Sequence, residues 1–119
     1  MKPIAVIGST GSIGEKVLEI VRLHPDRFKV TALAARQNTA ALLKQAQEFR
    51  PDLVCLFDKT RAKEIEGPLK KLRIRLVTGE EGLMEASVEP GARQVIFALV
   101  GAIGLKPLLR AIQSGKISR

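Results

Sequence analysis

At 119 residues, with 45% hydrophobic and 27% charged side chains, the chain has the size and make-up of one globular domain built on one core. No apolar run approaches the roughly 20 residues that cross a bilayer. Met1 and Lys2 lead straight into an apolar stretch with no room for a leader segment, so no membrane partner and a cytoplasmic location are expected. The net charge of +8 raises nucleic acid as a partner, but the basic residues (Lys59, Arg61, Lys63, Lys70, Lys71, Arg73, Arg75) are spread over predicted helices. The aromatics are four Phe, too little stacking surface for bases, so a solvated basic face is expected, with phosphate-bearing ligands next.

The first strand is predicted at 4–7, and the helix after it carries Ile13, Val17, Ile20 and Val21 on its inward face, with Glu15, Lys16, Glu19 and Arg22 on the other. His24 and Pro25 end it. A second strand at 30–34 leads to a helix running from Thr39, the expected N-cap, to Phe49, with Leu42, Leu43, Ala46 and Phe49 as its stripe and Pro51 closing it. The third strand, 53–57, holds the single cysteine. Cys55 excludes an internal disulfide and reads as a small apolar core residue, because His24 is the one histidine and nothing joins it to activate a thiol.

The segment 60–72 is interrupted by Gly67 and Pro68 and reads as two short helical pieces. A fourth strand at 74–77, a weaker helix at 80–87 and a fifth strand at 95–98 follow. The last helix spans 105–113, with Pro107 in its first turn. Gly115 stops that helix, and Lys116 to Ser118 look like the opening of a sixth strand, so the chain is expected to be truncated there or to continue. Most strands are nearly continuous apolar runs, as in a parallel sheet covered by helices on both faces. The expected fold is α/β: a doubly wound parallel sheet, a Rossmann-like NAD(P)-binding domain over 1–119.

Between the first strand and its helix lies Gly8-Ser9-Thr10-Gly11-Ser12-Ile13-Gly14. Glycines suit a sharp turn and a close approach by a diphosphate, and the helix N-terminus offers unpaired N–H groups and partial positive charge. Gly14 would let helix and strand pack closely, and Ser9, Thr10 and Ser12 add hydroxyls. The spacing is GxxGxxG, a variant of the GxGxxG fingerprint, and its strand–loop–helix setting supports a dinucleotide site.

Cofactor choice is read at the end of the second strand, where Ala35-Arg36-Gln37-Asn38 stands and no carboxylate is available for a ribose 2′-OH. The Arg36 guanidinium suits a 2′-phosphate, so NADPH is expected over NADH. Val100 and Gly101 sit beyond the fifth strand, at the edge where such sheets bind ligands. Gly101 and Gly104 either bring backbone to the cofactor or only permit the turn.

These residues resemble a known family. The loop at 8–14, the His24-Pro25 helix end, the run 30–38 and the stretch from Val100-Gly101-Ala102-Ile103-Gly104 to Gly115-Lys116 are similar to the amino-terminal region of 1-deoxy-D-xylulose 5-phosphate reductoisomerases. The resemblance implies an oxidoreductase that rearranges 1-deoxy-D-xylulose 5-phosphate and reduces the intermediate with NADPH to 2-C-methyl-D-erythritol 4-phosphate, in non-mevalonate isoprenoid synthesis. It implies that Thr10, Gly11, Ser12 and Ile13 contact NADPH and that Arg36, Gln37 and Asn38 surround the adenosine phosphate. Some relatives are expected to carry Gly-Lys-Asn where this chain has Arg36-Gln37-Asn38, so the cation is shifted by one position.

The resemblance further implies a homodimeric parent enzyme and a divalent metal, Mg or Mn, held only in a catalytic domain that this chain lacks. The chain alone is expected to bind cofactor without catalysing, and Asp52, Asp58, Glu80 and Glu81 are not offered as metal ligands. Two other readings stay open. One is the first domain of an NADP-dependent semialdehyde or acyl-phosphate dehydrogenase, whose cysteine nucleophile Cys55 could not supply; the other is a free-standing nucleotide-sensing module.

Overall fold

The structure, a computed structural model, describes residues 2–88 and 94–97, the last four through their backbone. In chain order it contains β1 (Lys2–Ile7), α1 (Ser12–Leu23), β2 (Phe28–Ala35), α2 (Thr39–Phe49), β3 (Leu53–Leu56), a 3₁₀ turn (Lys59–Arg61), α3 (Lys63–Lys71), β4 (Arg75–Thr78), α4 (Gly79–Ser87) and β5 (Gln94–Phe97). The strands form one sheet in the order β4-β3-β2-β1-β5, and every neighbouring pair is parallel. The chain winds outward from β1 to β4 and returns to the far side of β1 as β5. This reversal leaves a crevice beyond the carboxyl end of β1, where open α/β sheets take their ligands.

Alternation within β1 and β2 divides the core between two faces. Ile4, Val6, Val30 and Leu33 join Leu18 and Val21 of α1, Leu42 and Ala46 of α2, and Ile65 and Leu69 of α3 on one face. Ala5, Ile7, Ala32, Ala34 and Cys55 meet Leu83 and Ala86 of α4 on the other. Each large aliphatic side chain fully buried in these layers contributes about 1.5–3 kcal/mol. Between Ile4 and Ala5 the β1–β2 register slips by one residue, leaving Thr31 as the extra residue of β2. Thr31 stays satisfied although buried, since its hydroxyl donates to the Ile4 carbonyl at 3.1 Å and its own carbonyl accepts from Asp52 N at 2.9 Å.

The expected strands recur within one or two residues, and three helical details are corrected. α1 buries Gly14, Leu18 and Val21, whereas Ile13 and Ile20 are 57% and 56% exposed. The expected inward face shares Val17 and Val21 with the observed one, and Gly14 decides between them. A Cβ at Gly14 would stand 2.1 Å from the Gly8 carbonyl oxygen, so α1 lies tightly against the preceding loop there. α3 runs unbroken through Gly67 and Pro68, and the break falls earlier, at Ala62. Gly67 has no Cβ to oppose the proline ring, which relaxes the usual bar on helical backbone before proline, and Ile65 and Leu69 anchor the helix on both sides. The N-cap of α2 is Asn38, whose side chain accepts from Ala41 N at 3.1 Å. Thr39 instead opens the helix and donates its hydroxyl to Glu64 Oε1 at 2.7 Å.

The expected helix at 105–113, the sixth-strand opening, and Val100 and Gly101 lie outside the described residues. Among the described residues no helix is long and apolar enough to cross a membrane.

Candidate functional site

β1 ends at Ile7, and the Gly8 and Ser9 amides both turn onto the Ala34 carbonyl of β2, at 2.7 and 2.9 Å. Gly8 makes this bend with φ +87°, a conformation costly for any residue bearing a Cβ. Gly11 N then donates back to the Gly8 carbonyl at 3.3 Å, and Glu15 N to the Gly11 carbonyl at 2.9 Å, starting α1. Gly11 is the N-cap and no side chain caps the helix. Among the described residues, no protein acceptor takes the amides of Thr10, Ser12, Ile13 and Gly14. Gly11, Ser12 and Ile13 are exposed and Thr10 half-buried. A row of unspent donors therefore stands at the positive end of a 12-residue helix, a setting that favours an anion.

The three glycines serve different ends. Gly8 supplies the positive φ and Gly14 the close packing. Gly11 needs neither: its backbone is extended, and an added Cβ would meet only the Gly8 oxygen at an ordinary 3.6 Å. Room at Gly11 is thus room for something outside the loop.

The loop is braced from α2. Gln45, 8% exposed, donates Nε2 to the Ser9 carbonyl at 2.9 Å. Its Oε1 and the buried Ser9 hydroxyl oxygen have no partner among the described residues. Leu42, Leu43, Ala46 and Phe49 were the expected stripe of α2, and Gln45 was missed because a polar residue breaks an apolar period.

Arg36, Gln37 and Asn38 are exposed and follow the end of β2. They lie beside the exit of β3, because Phe57 N donates to the Ala35 carbonyl at 2.9 Å and Asp58 N to the Arg36 carbonyl at 2.8 Å. Asp58 turns its carboxylate onto the Thr60 hydroxyl (2.6 Å) and Thr60 N (3.0 Å), bonds that hold it below the usual carboxylate range. Arg61 extends from the same turn to donate to the Gln37 carbonyl at 3.2 Å and to pair with Glu64 at 3.3 Å. Two cations from different βα turns, Arg36 and Arg61, therefore flank one loop. Sequence reading assigned Arg61 to a solvated face; the signal that could have found it is the parallel sheet itself, which sets the β2 and β3 exits side by side. The Asn38 side-chain oxygen is committed to capping α2, so only its amide nitrogen remains for a ligand.

Cys55 lies in β3 under α4, fully buried, and burial pushes its thiol up to about 12. It is a core residue, as its apolar neighbours imply.

The family model for 1-deoxy-D-xylulose 5-phosphate reductoisomerase matches residues 4–117. Similar proteins include the enzymes of that name from Chlorobaculum tepidum, 44% identical over 98% of this chain, and from Moorella thermoacetica, 45% identical over 97%. The chloroplastic enzyme of Mentha piperita is 42% identical over 97%. A solved DOX-P reductoisomerase in complex with NADPH, fosmidomycin and magnesium superposes with a TM-score of 0.93 at 33% identity, covering 98% of this chain and 29% of that one. The Zymomonas mobilis enzyme in complex with NADPH gives 0.91 at 30% identity, covering 98% and 31%. The chain spans 30% of the length of the Chlorobaculum and Moorella relatives and 25% of the Mentha one. On the match over residues 4–117, this chain belongs to the 1-deoxy-D-xylulose 5-phosphate reductoisomerase family.

Proposed function

We propose that residues 1–119 are the NADPH-binding domain of a 1-deoxy-D-xylulose 5-phosphate reductoisomerase, which converts that sugar phosphate to 2-C-methyl-D-erythritol 4-phosphate. The observation that carries the reading is the set of unspent amides at Thr10, Ser12, Ile13 and Gly14, aligned with an uncapped helix start. An anionic diphosphate satisfies these donors and uses the space at Gly11. Family relatives solved with NADPH support the same choice of ligand.

In this reading Gly8 and Gly14 shape the loop, and Thr10, Gly11, Ser12 and Ile13 contact the diphosphate. Arg36 and Arg61 pair with the 2′-phosphate, the second compensating for Gln37 where a lysine is expected in some relatives. Forked guanidinium groups suit a phosphate dianion and have little to hold on an unmodified ribose, which sets the preference over NADH. Val100 and Gly101 are assigned to the cofactor on sequence grounds. The bound coenzyme supplies the hydride; this chain's residues hold and orient it. The divalent metal, Mg or Mn, and the substrate ligands belong to the part of the family's length that this chain does not span. The parent enzyme is taken as a cytoplasmic bacterial homodimer.

Titration calorimetry of the chain with NADPH and NADH tests the reading. Binding of NADPH with at least tenfold preference is expected, and no measurable heat with either coenzyme on folded protein would end it.

A further inference from the structure

We propose that Gln45 is a positioning residue: by holding the Ser9 carbonyl it aims the Thr10 N–H at the coenzyme diphosphate. The inference rests on the cofactor reading above and deepens it. A trans peptide is planar, with its C=O and N–H pointing in opposite directions. The unit between Ser9 and Thr10 therefore has one free rotation to settle, and the bond from Gln45 Nε2 to Ser9 O, 2.9 Å long, settles it. With the carbonyl drawn toward α2, the Thr10 N–H must face away from α2, and no acceptor among the described residues takes it. The peptide on the other side of Ser9 is held as well, because Ser9 N donates to the Ala34 carbonyl at 2.9 Å. Ser9 is thus pinned from β2 on one side and from α2 on the other, and the first unspent donor of the loop acquires its direction from a helix that does not border the loop in sequence.

The chemistry of Gln45 supports this role over packing. It lies among Leu42 and Ala46 on the buried side of α2, and its Oε1 has no partner among the described residues. A group left unsatisfied in a core costs free energy that a methionine or leucine of similar volume would avoid. What the amide provides and an apolar residue cannot is the bond to Ser9. Because that bond acts on the diphosphate end, its loss affects NADPH and NADH alike, whereas changes at Arg36 separate them.

The test replaces Gln45 in the full chain by Met, of similar length without the donor, and by Glu, which sets a carboxylate against the Ser9 carbonyl. Both variants are expected to raise Kd for NADPH and for NADH about tenfold, with the ratio between the two unchanged. In ¹⁵N-labelled protein, addition of NADPH shifts the Thr10 amide of the unaltered chain. In the variants that shift shrinks while those of Arg36 and Asn38 persist. A packing role alone would lower the melting temperature and leave both affinity and the Thr10 shift intact, which would overturn the proposal. The unaltered chain offers a check that needs no variant: its Thr10 amide exchanges rapidly when free and is protected by NADPH, and protection without coenzyme would equally overturn it. Failure of the unaltered chain to bind either coenzyme would remove the cofactor reading and this inference together; tight binding that Gln45→Met leaves untouched would remove this inference alone.

Discussion

The Arg61 guanidinium donates to the Gln37 carbonyl at 3.2 Å, joining the turn after β3 to the loop after β2 across 24 residues of sequence. If Arg36 and Arg61 share one phosphate, Arg36→Ala and Arg61→Ala should each weaken NADPH about tenfold and leave NADH nearly unchanged, in line with the 1.5–3 kcal/mol or so of a charge-assisted hydrogen bond reduced by exposure. Titration of the single and double variants with both coenzymes checks this. Equal losses for NADPH and NADH would return Arg61 to a structural role.

Gly14 and Gly11 should respond in opposite ways to alanine. At Gly14 the added Cβ lies 2.1 Å from the Gly8 oxygen and 2.7 Å from Ser9 Cα, so α1 must shift, at a cost of about 1–3 kcal/mol. At Gly11 the nearest atom is 3.6 Å away and the loss is that of a modest N-cap change, up to about 1 kcal/mol. Denaturant unfolding should therefore single out Gly14→Ala, while NADPH titration should register a clear loss in Gly11→Ala.

The rotation of α1 is open to direct test. Leu18→Ala, at a side chain 2% exposed, should cost about 2–5 kcal/mol, whereas Ile20→Gln, at one 56% exposed, should stay within about 0.5 kcal/mol. Comparable losses at the two positions would mean that the apolar face expected from periodicity is the buried one.

Cys55 should be inert to thiol reagents in the folded chain. With its pKa raised from 9.0 to about 12, only about one molecule in ten thousand is thiolate at pH 8. The sign follows from the folded state's tighter hold on the proton: this contribution to stability is complete below pH 9.0 and declines as pH rises toward about 12. Reaction with a disulfide reagent should track unfolding, and a fast reaction under native conditions would contradict the burial.

The expected site was legible wherever chemistry was local. The loop 8–14 announced itself by glycine spacing between an apolar run and a helical period, and Arg36 by standing where an acidic residue is usual. Gln45 and Arg61 were not legible, since each acts through a bond to the main chain of another segment, Ser9 and Gln37, and such bonds leave no pattern in side-chain type. Asn38 was expected at the coenzyme, and local sequence did not reveal that its oxygen caps α2.

The alternation of apolar strands with helices of 3.6-residue period determined a parallel, doubly wound sheet, because strands covered on both faces tolerate few polar residues. Composition and short-range pattern were enough for that. Which face of α1 is buried, where α3 breaks and which distant groups brace the phosphate loop were decided only when helices met the sheet. There Gly14, whose missing Cβ lets α1 lie against the Gly8 carbonyl, turns inward with Leu18 and Val21, and Ile13 and Ile20 are left in water.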